Sequence, residues 1–434
     1  MERAQRPSIR FARRAIVWLA VATFVAAGCG GSSGSTVEAA TASMASTAIA
    51  TAKPPLAATP IPLPTPTAVP TGPTLRWTSV LSSGGSQIES LVSAAVTLGG
   101  GFVLAGSENR GQNAAVWFSP DGQTWQTIDK APGFADGVIG MLVPIESGLL
   151  AVGTARQLDS LCGGGALGCN PVSPIRLWTS SDGRAWQELP GAAAEPFGRA
   201  RLEQMVPGPS GIVAYGELVP ASGTNIKPMV WTSRDGRDWS AAPQFSTAFP
   251  GDAIIDLASG PGGYAAVGSR SAGGNVSLTR RAWYSADGRA WKLASGLGSQ
   301  GPIVVLPCAG GFFGVDNPGA QGAFWTSADG SKWAVQPVVV DRPGRPAYVG
   351  SGLFSDGHRI VAIGSDWYQT RGAWVSTDGR NWQSVQLAGA QPPLDTAVAG
   401  SVVWAFGPGG LIVTTAIDFG QAVPTWTVWF GTLS

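Results

Sequence analysis

The sequence predicts an all-β repeat fold, and three observations predict it. The first is composition: of 434 residues, 61 are Gly and 18 are Trp, 44% are hydrophobic and only 13% are charged. Many turns and large apolar plates suit short strands packed on both faces, and this balance excludes a disordered chain. The second is a motif, Trp117-Phe118-Ser119-Pro120-Asp121-Gly122-Gln123-Thr124-Trp125, which returns at 178–186, 231–239, 283–291, 325–333 and 374–382. Each copy keeps Ser, an Asp-Gly pair and a Trp three residues after the Gly, and 12 of the 18 Trp lie in the six copies. The third is a Gly-rich turn followed by a short apolar strand. It occurs seven times, at 102–106, 149–153, 212–216, 264–268, 312–316, 360–364 and 411–415.

The motif aspartates Asp121, Asp182, Asp235, Asp287, Asp329 and Asp378 are 42 to 61 residues apart, a period that fits one four-stranded sheet per repeat. In the fourth repeat the reading is an inner strand at 254–259, a second strand at 264–268 and a variable loop at 269–280. A third strand at 281–285, the Asp-Gly turn and an outer strand at 291–294 follow. There are seven second strands but only six Asp-Gly hairpins. After the seventh comes Val428-Trp429-Phe430, the triplet of Val116-Trp117-Phe118, with no outer strand behind it. The missing strand stands at the other end, where Trp77-Thr78-Ser79-Val80 matches Trp125-Gln126-Thr127-Ile128. The sequence therefore predicts a seven-bladed β-propeller of four-stranded antiparallel blades, the last blade closed by the N-terminal strand. Such closure removes the sheet edges an open array would expose.

Ahead of these repeats, Arg3, Arg6, Arg10, Arg13 and Arg14 precede an apolar run at 15–27 that is too short to span a bilayer comfortably, the pattern of a signal peptide. Val25-Ala26-Ala27-Gly28-Cys29 resembles the bacterial lipobox, which implies lipidation of Cys29; Ala26 stands where Leu is usual. Arg13-Arg14 resembles a twin-arginine signal but does not choose the export route. Residues 30–73 are Ala, Ser, Thr, Gly and Pro and end in Pro60-Ile61-Pro62-Leu63-Pro64-Thr65-Pro66, a composition that stays solvated and extended. The expected organisation is a lipoprotein signal peptide at 1–28, a lipidated tether at 29–74 and the propeller at 75–434. The expected place is extracytoplasmic, anchored to the bacterial membrane or cell surface.

Each part of the motif has a local purpose. Asp bonds backbone amides ahead of it, Gly supplies positive φ, and the Ser hydroxyl satisfies another turn amide. The Trp rings pack beside neighbouring blades. The motif resembles the Asp-box of sialidases and related propellers, which carries one more residue between Asp and Gly. In that family the box is a structural hairpin away from the active-site face, so the resemblance implies the fold and a structural role for the six aspartates.

Candidate chemistry is sparse. The sole His, His358, falls in a turn after Asp356-Gly357, and one His makes neither a multi-His metal site nor a well-placed catalytic triad. The G-x-G-x-x-G at 163–168 runs into Cys169-Asn170-Pro171 instead of a helix, so it cradles no phosphate. Cys162 and Cys169 read as a local disulfide of an exported protein, which leaves Cys308 as a buried thiol. No metal and no cofactor is expected.

The variable loops share one face. Arg176, Arg199, Arg280, Arg345, Trp367, Tyr368 and Arg371 are the candidate binding residues there, since guanidinium pairs bidentately with carboxylate. The sialidase resemblance implies three Arg, a Tyr-Glu pair and an Asp. However, the Arg-Ile-Pro signature is absent, and Tyr215, Tyr264 and Tyr284 read as strand positions. Net charge is +1; removing the first 14 residues leaves 23 of the 28 basic and 26 of the 27 acidic side chains, which offers nucleic acid no footprint. The expectation is a monomeric, non-catalytic binding module for a protein, peptide or glycan. The alternatives are a sialidase-like exo-glycosidase and an assembly scaffold for a membrane complex.

Overall fold

The computed structural model describes residues 73–82, 91–108, 112–155, 172–222, 226–242, 245, 249, 252–271, 278–316, 323–336, 346, 352–365, 371–394, 402–407, 409–417 and 425–434. The signal peptide, Cys29, the tether, Cys162, Cys169, Arg345, Trp367 and Tyr368 lie outside them. The described chain opens on β1 (Thr74–Ser82), which starts one residue before the expected boundary. The first repeat then gives β2 (Leu91–Leu98), β3 (Gly101–Glu108), β4 (Asn113–Ser119) and β5 (Gln126–Ile128). The second gives β6 (Gly137–Ile145), β7 (Gly148–Ala155), β8 (Ile175–Ser180) and β9 (Gln187–Glu188). A 3-10 turn at Gly191–Phe197 leads into β10 (Ala200–Gly208), β11 (Gly211–Leu218), β12 (Lys227–Ser233) and β13 (Trp239–Ala241). Next come β14 (Asp252–Gly260), β15 (Gly263–Ser271), β16 (Leu278–Ser285) and β17 (Lys292–Leu293). The fifth repeat gives β18 (Val304–Cys308), β19 (Gly311–Val315), β20 (Phe324–Ser327) and β21 (Ala334–Val335). The sixth gives β22 (Leu353–Ser355), β23 (Ile360–Ser365), β24 (Arg371–Ser376) and β25 (Gln383–Gly389). The chain closes with β26 (Val403–Gly407), β27 (Gly410–Ile417) and β28 (Thr425–Leu433).

Strand pairing makes this a β-propeller. The first five repeats are separate four-stranded antiparallel sheets in chain order, inner strand to outer. The sixth sheet has eight strands in the order β22-β23-β24-β25-β1-β28-β27-β26. It is two four-stranded antiparallel sets joined edge to edge, and the second set takes β1 as its outer strand. The register is the one the sequence match implies: Thr78 faces Phe430 as Gln126 faces Phe118, which puts Trp77 in the place of Trp125.

Both faces of each sheet are apolar. Along β3, Val103 and Ala105 pack toward the second sheet with Ile139, Leu149 and Trp178, while Phe102 and Leu104 pack toward the last set with Ile412, Val428 and Phe430. Among the described residues seven such clusters follow one another around the ring, each shared by successive sets. The alternation of a half-buried strand is therefore absent: seven consecutive residues of β3 and of β7 are buried.

The recurrent glycine at the end of the second strand has a cause that the sequence did not show. The inner strands of the first four sheets each carry a bulge, one extra residue opposite that glycine: Ser93, Gly140, Glu203 and Ile255. The bulge drives a carbonyl over the glycine, so a Cβ on Gly106, Gly153, Gly216 or Gly268 would strike the backbone oxygen of Leu91, Val138, Arg201 or Ala253. In the fourth sheet the strands also run further than expected. Ser269, Arg270 and Ser271 pair with Arg280, Thr279 and Leu278, so Arg280 is a strand residue and the loop shrinks to 272–277.

The inner strands have one edge facing the ring axis, with no strand beyond to take their amides. Side chains next to the bulges take that place. Gln204 accepts from the Leu257 amide at 2.9 Å and donates to its carbonyl at 2.8 Å, while Asp256, 4% exposed, accepts from the Val305 amide at 2.8 Å. Gln204 also donates to Asp256 at 3.0 Å, which links three successive inner strands. Ser93 donates to the Ile139 carbonyl at 2.6 Å in the same manner.

These close approaches set a test. Gly268→Ala presses a methyl against the Ala253 carbonyl and is expected to destabilise by about 1–3 kcal/mol, seen as a lower melting temperature in circular dichroism. Gly191→Ala, with nothing within 4 Å of its Cβ, should melt with the unchanged protein.

Candidate functional site

The antiparallel order gives the ring two unlike faces. On the turn face the first and second strands are joined by two residues in six repeats and by four, 356–359, between β22 and β23; the Asp-Gly hairpins lie on the same face. At the opposite end, the loop face, the second strands stop and the third begin, separated in sequence by 4, 19, 8, 6, 8, 5 and 7 residues. The turn-face spacing is two residues in all repeats but one, whereas the spacing at the other end differs from repeat to repeat.

The hairpins of the turn face repeat one bonding scheme, and two of its bonds recur to a tenth of an ångström. In all six the Gly amide donates to the Ser hydroxyl at 2.8–2.9 Å. The Asp Oδ1 accepts from the amide two residues ahead at 2.8–2.9 Å. In five it also takes the amide three ahead, at 2.7–3.1 Å. The Gly sits at φ of 70–83°, a region open to glycine without Cβ strain. The second Trp reaches back, its indole N–H donating to the Gly carbonyl at 2.8–3.3 Å in five repeats. All six carboxyls lie below the ordinary 3.8. At Asp121 and Asp182 the backbone amides dominate, and at Asp329 the Ser331 hydroxyl does. At Asp235, Asp287 and Asp378 burial pushes upward, but the amides and the Ser hydroxyl outweigh it. Each carboxylate is thus committed to its own turn.

Two further parts of the hairpin emerge only in three dimensions. In three sheets a buried Phe from the segment leading into the sheet wedges between the two Trp: Phe134 with Trp178 and Trp186, Phe197 with Trp231 and Trp239, and Phe245 with Trp283 and Trp291. The residue after the box Gly is often Arg, and it clasps the preceding sheet. Arg289 donates to the Thr232 hydroxyl and Arg380 to that of Thr326, both from Nε at 3.1–3.2 Å, while Arg184 lies 4.0 Å over the Phe118 ring. Asp-Gly-Arg recurs in four copies, a sequence signal for this clasp. The Phe wedges lie at unequal distances from their Trp and leave no such signal.

Four candidate binding arginines are described, and each stands at the loop-face end of a different sheet. Arg176 is in β8, tied by two bonds of 2.6 and 2.7 Å to Glu188 of the outer strand and by a third, of 3.0 Å, to the Ala135 carbonyl. That places its charge at the outer rim and not over the ring axis. Arg199 donates to the Val219 carbonyl at 3.2 Å. Arg280 is half-buried; burial pulls its guanidinium below the ordinary value, and Asp316 of the next sheet opposes that pull. Arg371 opens β24 and is exposed. The bonds of Arg176 and Arg199 run to Glu188, Ala135 and Val219 of the protein itself.

A pair the sequence did not single out is Arg270 with Asp252, at 2.5 Å, joining the ends of β15 and β14 beside that loop face. The tyrosines hold strand positions. Tyr215 donates to the Ile254 carbonyl at 3.0 Å and Tyr264 to that of Gly211 at 2.8 Å, and burial pushes the Tyr264 phenol up. His358 is exposed in the β22–β23 turn, where its carbonyl accepts from Ala309 at 3.2 Å. Cys308 ends β18, 1% exposed, its thiol pushed up by burial. Among the described residues no three His, Cys, Asp or Glu gather as metal ligands.

No protein-family model and no curated protein matches the sequence. Among solved structures the chain is similar to Trypanosoma rangeli sialidase, at 14% identity over 71% of this chain and 56% of that one, with a TM-score of 0.39. It is similar to Zg3597, a family 117 glycoside hydrolase of Zobellia galactanivorans, at 10% identity over 83% and 91%, with a TM-score of 0.36. It is also similar to the β-propeller domain of the Trilobed protease from Pyrococcus furiosus, at 9% over 81% and 96%, with a TM-score of 0.41. The chain spans little more than half the length of that sialidase. Likenesses this distant carry no argument about activity, and the fold rests on the strand order and pairing above.

The box carboxylates give the protein an acid limb. A carboxyl held low in the folded chain adds stability above its unfolded value and loses that contribution as pH falls through the folded value. Melting temperature should be level above about pH 5 and decline below about pH 4. Replacing Asp182, Asp235 and Asp287 together by Asn removes three titrating groups and should flatten that decline; an equally steep limb would place its origin elsewhere.

Proposed function

We propose that this chain is a lipid-anchored extracytoplasmic binding module, one that displays the loop face of its propeller to a protein, peptide or glycan and performs no chemistry itself. The observation that carries the reading is the contrast between ends: six hairpins of one bonding scheme on one face, and gaps of 4 to 19 residues between second and third strands at the other. Loops of unequal length and composition on a rigid scaffold are the usual carriers of recognition. β1 begins at the turn-face end, where Thr74 and Ser434 exchange backbone bonds. In this reading Arg345, Trp367, Tyr368 and Arg371 supply contacts, aromatic anchors and guanidinium groups being common hot spots. Arg176 and Arg280, already tied to neighbouring elements, brace the loops that do so, and Arg199 stands between them.

The chain from residue 30 onward, immobilised and probed with glycan and peptide arrays and with extracytoplasmic proteins of its source, should retain a saturable ligand. Replacing Trp367 and Tyr368 together by Ala should weaken binding by about tenfold or more, while Asp182→Asn leaves it unchanged. Turnover of a fluorogenic sialoside, lost in Arg280→Ala, would replace this reading with the exo-glycosidase. Cys29→Ser should release the full chain from the membrane fraction.

A further inference from the structure

The seam strand differs from its counterparts in a way that ring closure does not require. The outer strands β5, β9, β13, β17 and β21 have two or three residues, and past the end of β17 a single parallel bridge, Ser295–Lys332, reaches the next sheet. β1 has nine and is paired on both sides, antiparallel to β28 from Leu75–Leu433 to Ser82–Thr427 and parallel to β25 from Thr74–Gln386 to Trp77–Gly389. Three more backbone bonds fix its first turn of chain: Gln386 donates to the Pro73 carbonyl at 2.9 Å, Thr74 to Ser434 at 2.8 Å and Ser434 to Thr74 at 3.0 Å. Trp77, 2% exposed, is wedged between two glycines. A Cβ on Gly431 would meet its ring at 2.8 Å, and Gly389, at φ +78°, lies against its carbonyl. The doubled pairing and the long partner β25, seven residues, occur where the described chain continues into residues 29–73.

Direction matters as much as number. β1 starts at the turn face and runs toward the loop face. A pull on its amino end, with the loop face held, acts along the strand axis. It stretches the bonds to β25 and β28 together instead of opening them one at a time. We infer that β1 is a tension clamp, its two ladders placed in shear so that force arriving through the amino-terminal segment is resisted by two sheets at once. The inference rests on the tether and loop-face reading above for its physiological use, but the mechanical property belongs to the described strands alone.

Single-molecule force spectroscopy on the full chain tests it. With one handle at the amino terminus and the other inserted at Ser222 on the loop face, the first rupture should need several-fold more force than with the second handle at Ser434. That second geometry peels β1 from β28 starting at their adjoining ends. Gly389→Val, which forces a branched side chain onto a positive φ against Trp77, should lower the first rupture force in the loop-face geometry. Equal forces in the two geometries, or an unchanged force in Gly389→Val, would overturn the clamp. Release of Cys29→Ser from the membrane is scored separately, so loss of the anchor reading and loss of the clamp are distinguishable results.

Discussion

Each sheet of this protein is apolar on both faces, and that constraint governs the rest. A sheet with Phe102 and Leu104 on one side and Val103 and Ala105 on the other is stable only between two others. A row of such sheets leaves two apolar faces open at its ends unless it bends into a ring. Ring closure then demands that the first and last sets be joined covalently or by pairing, and β1 does so by lending the amino end of the domain to the last set. Contact of β2 with β6 on one side and with the last set on the other follows from the same requirement.

The hairpins of the turn face serve this packing. Ser, Asp and Gly make each reversal self-sufficient, so its amides are satisfied within the turn and its neighbours need supply nothing. What passes between sheets is carried by the Trp rings, the wedging Phe and the Arg that follows the Gly. A local turn solution repeated around the ring leaves the opposite connections free to differ, because no hairpin depends on them. The polar groups at the axis follow another rule. Asp256 is buried, and Gln204 and Ser93 half-buried, because unpaired inner-strand amides and carbonyls must be met by something, and the bulge places a side chain where it reaches the next sheet.

The charges of the loop face are less available than their number implies. Arg176 is spent on Glu188, Arg270 on Asp252, and Arg280 stands near Asp316, so three guanidinium groups work between strands. A site that gathers a carboxylate needs guanidinium groups with open donors converging on one point. The four described candidates stand on four different sheets, and Arg176 turns outward.

The repeat, the hairpins, the seam and its register were all readable in the residues, because each depends on a local rule. Asp-Gly with a flanking Ser closes a turn by itself, and an apolar run between such turns has one outcome. Side-chain placement across strands was not readable, for a single physical reason. Counting back from the turn at 261–262 sets Asp252 opposite Ser271, yet the bulge at Ile255 moves the register by one and brings it to Arg270. One extra residue exchanges the faces of everything beyond it. Whether a strand takes that residue is decided by how its neighbour packs and where the ring axis lies, so Arg280 as a strand residue, Asp256 as a bridge and the doubled pairing of β1 belong to the tertiary structure alone.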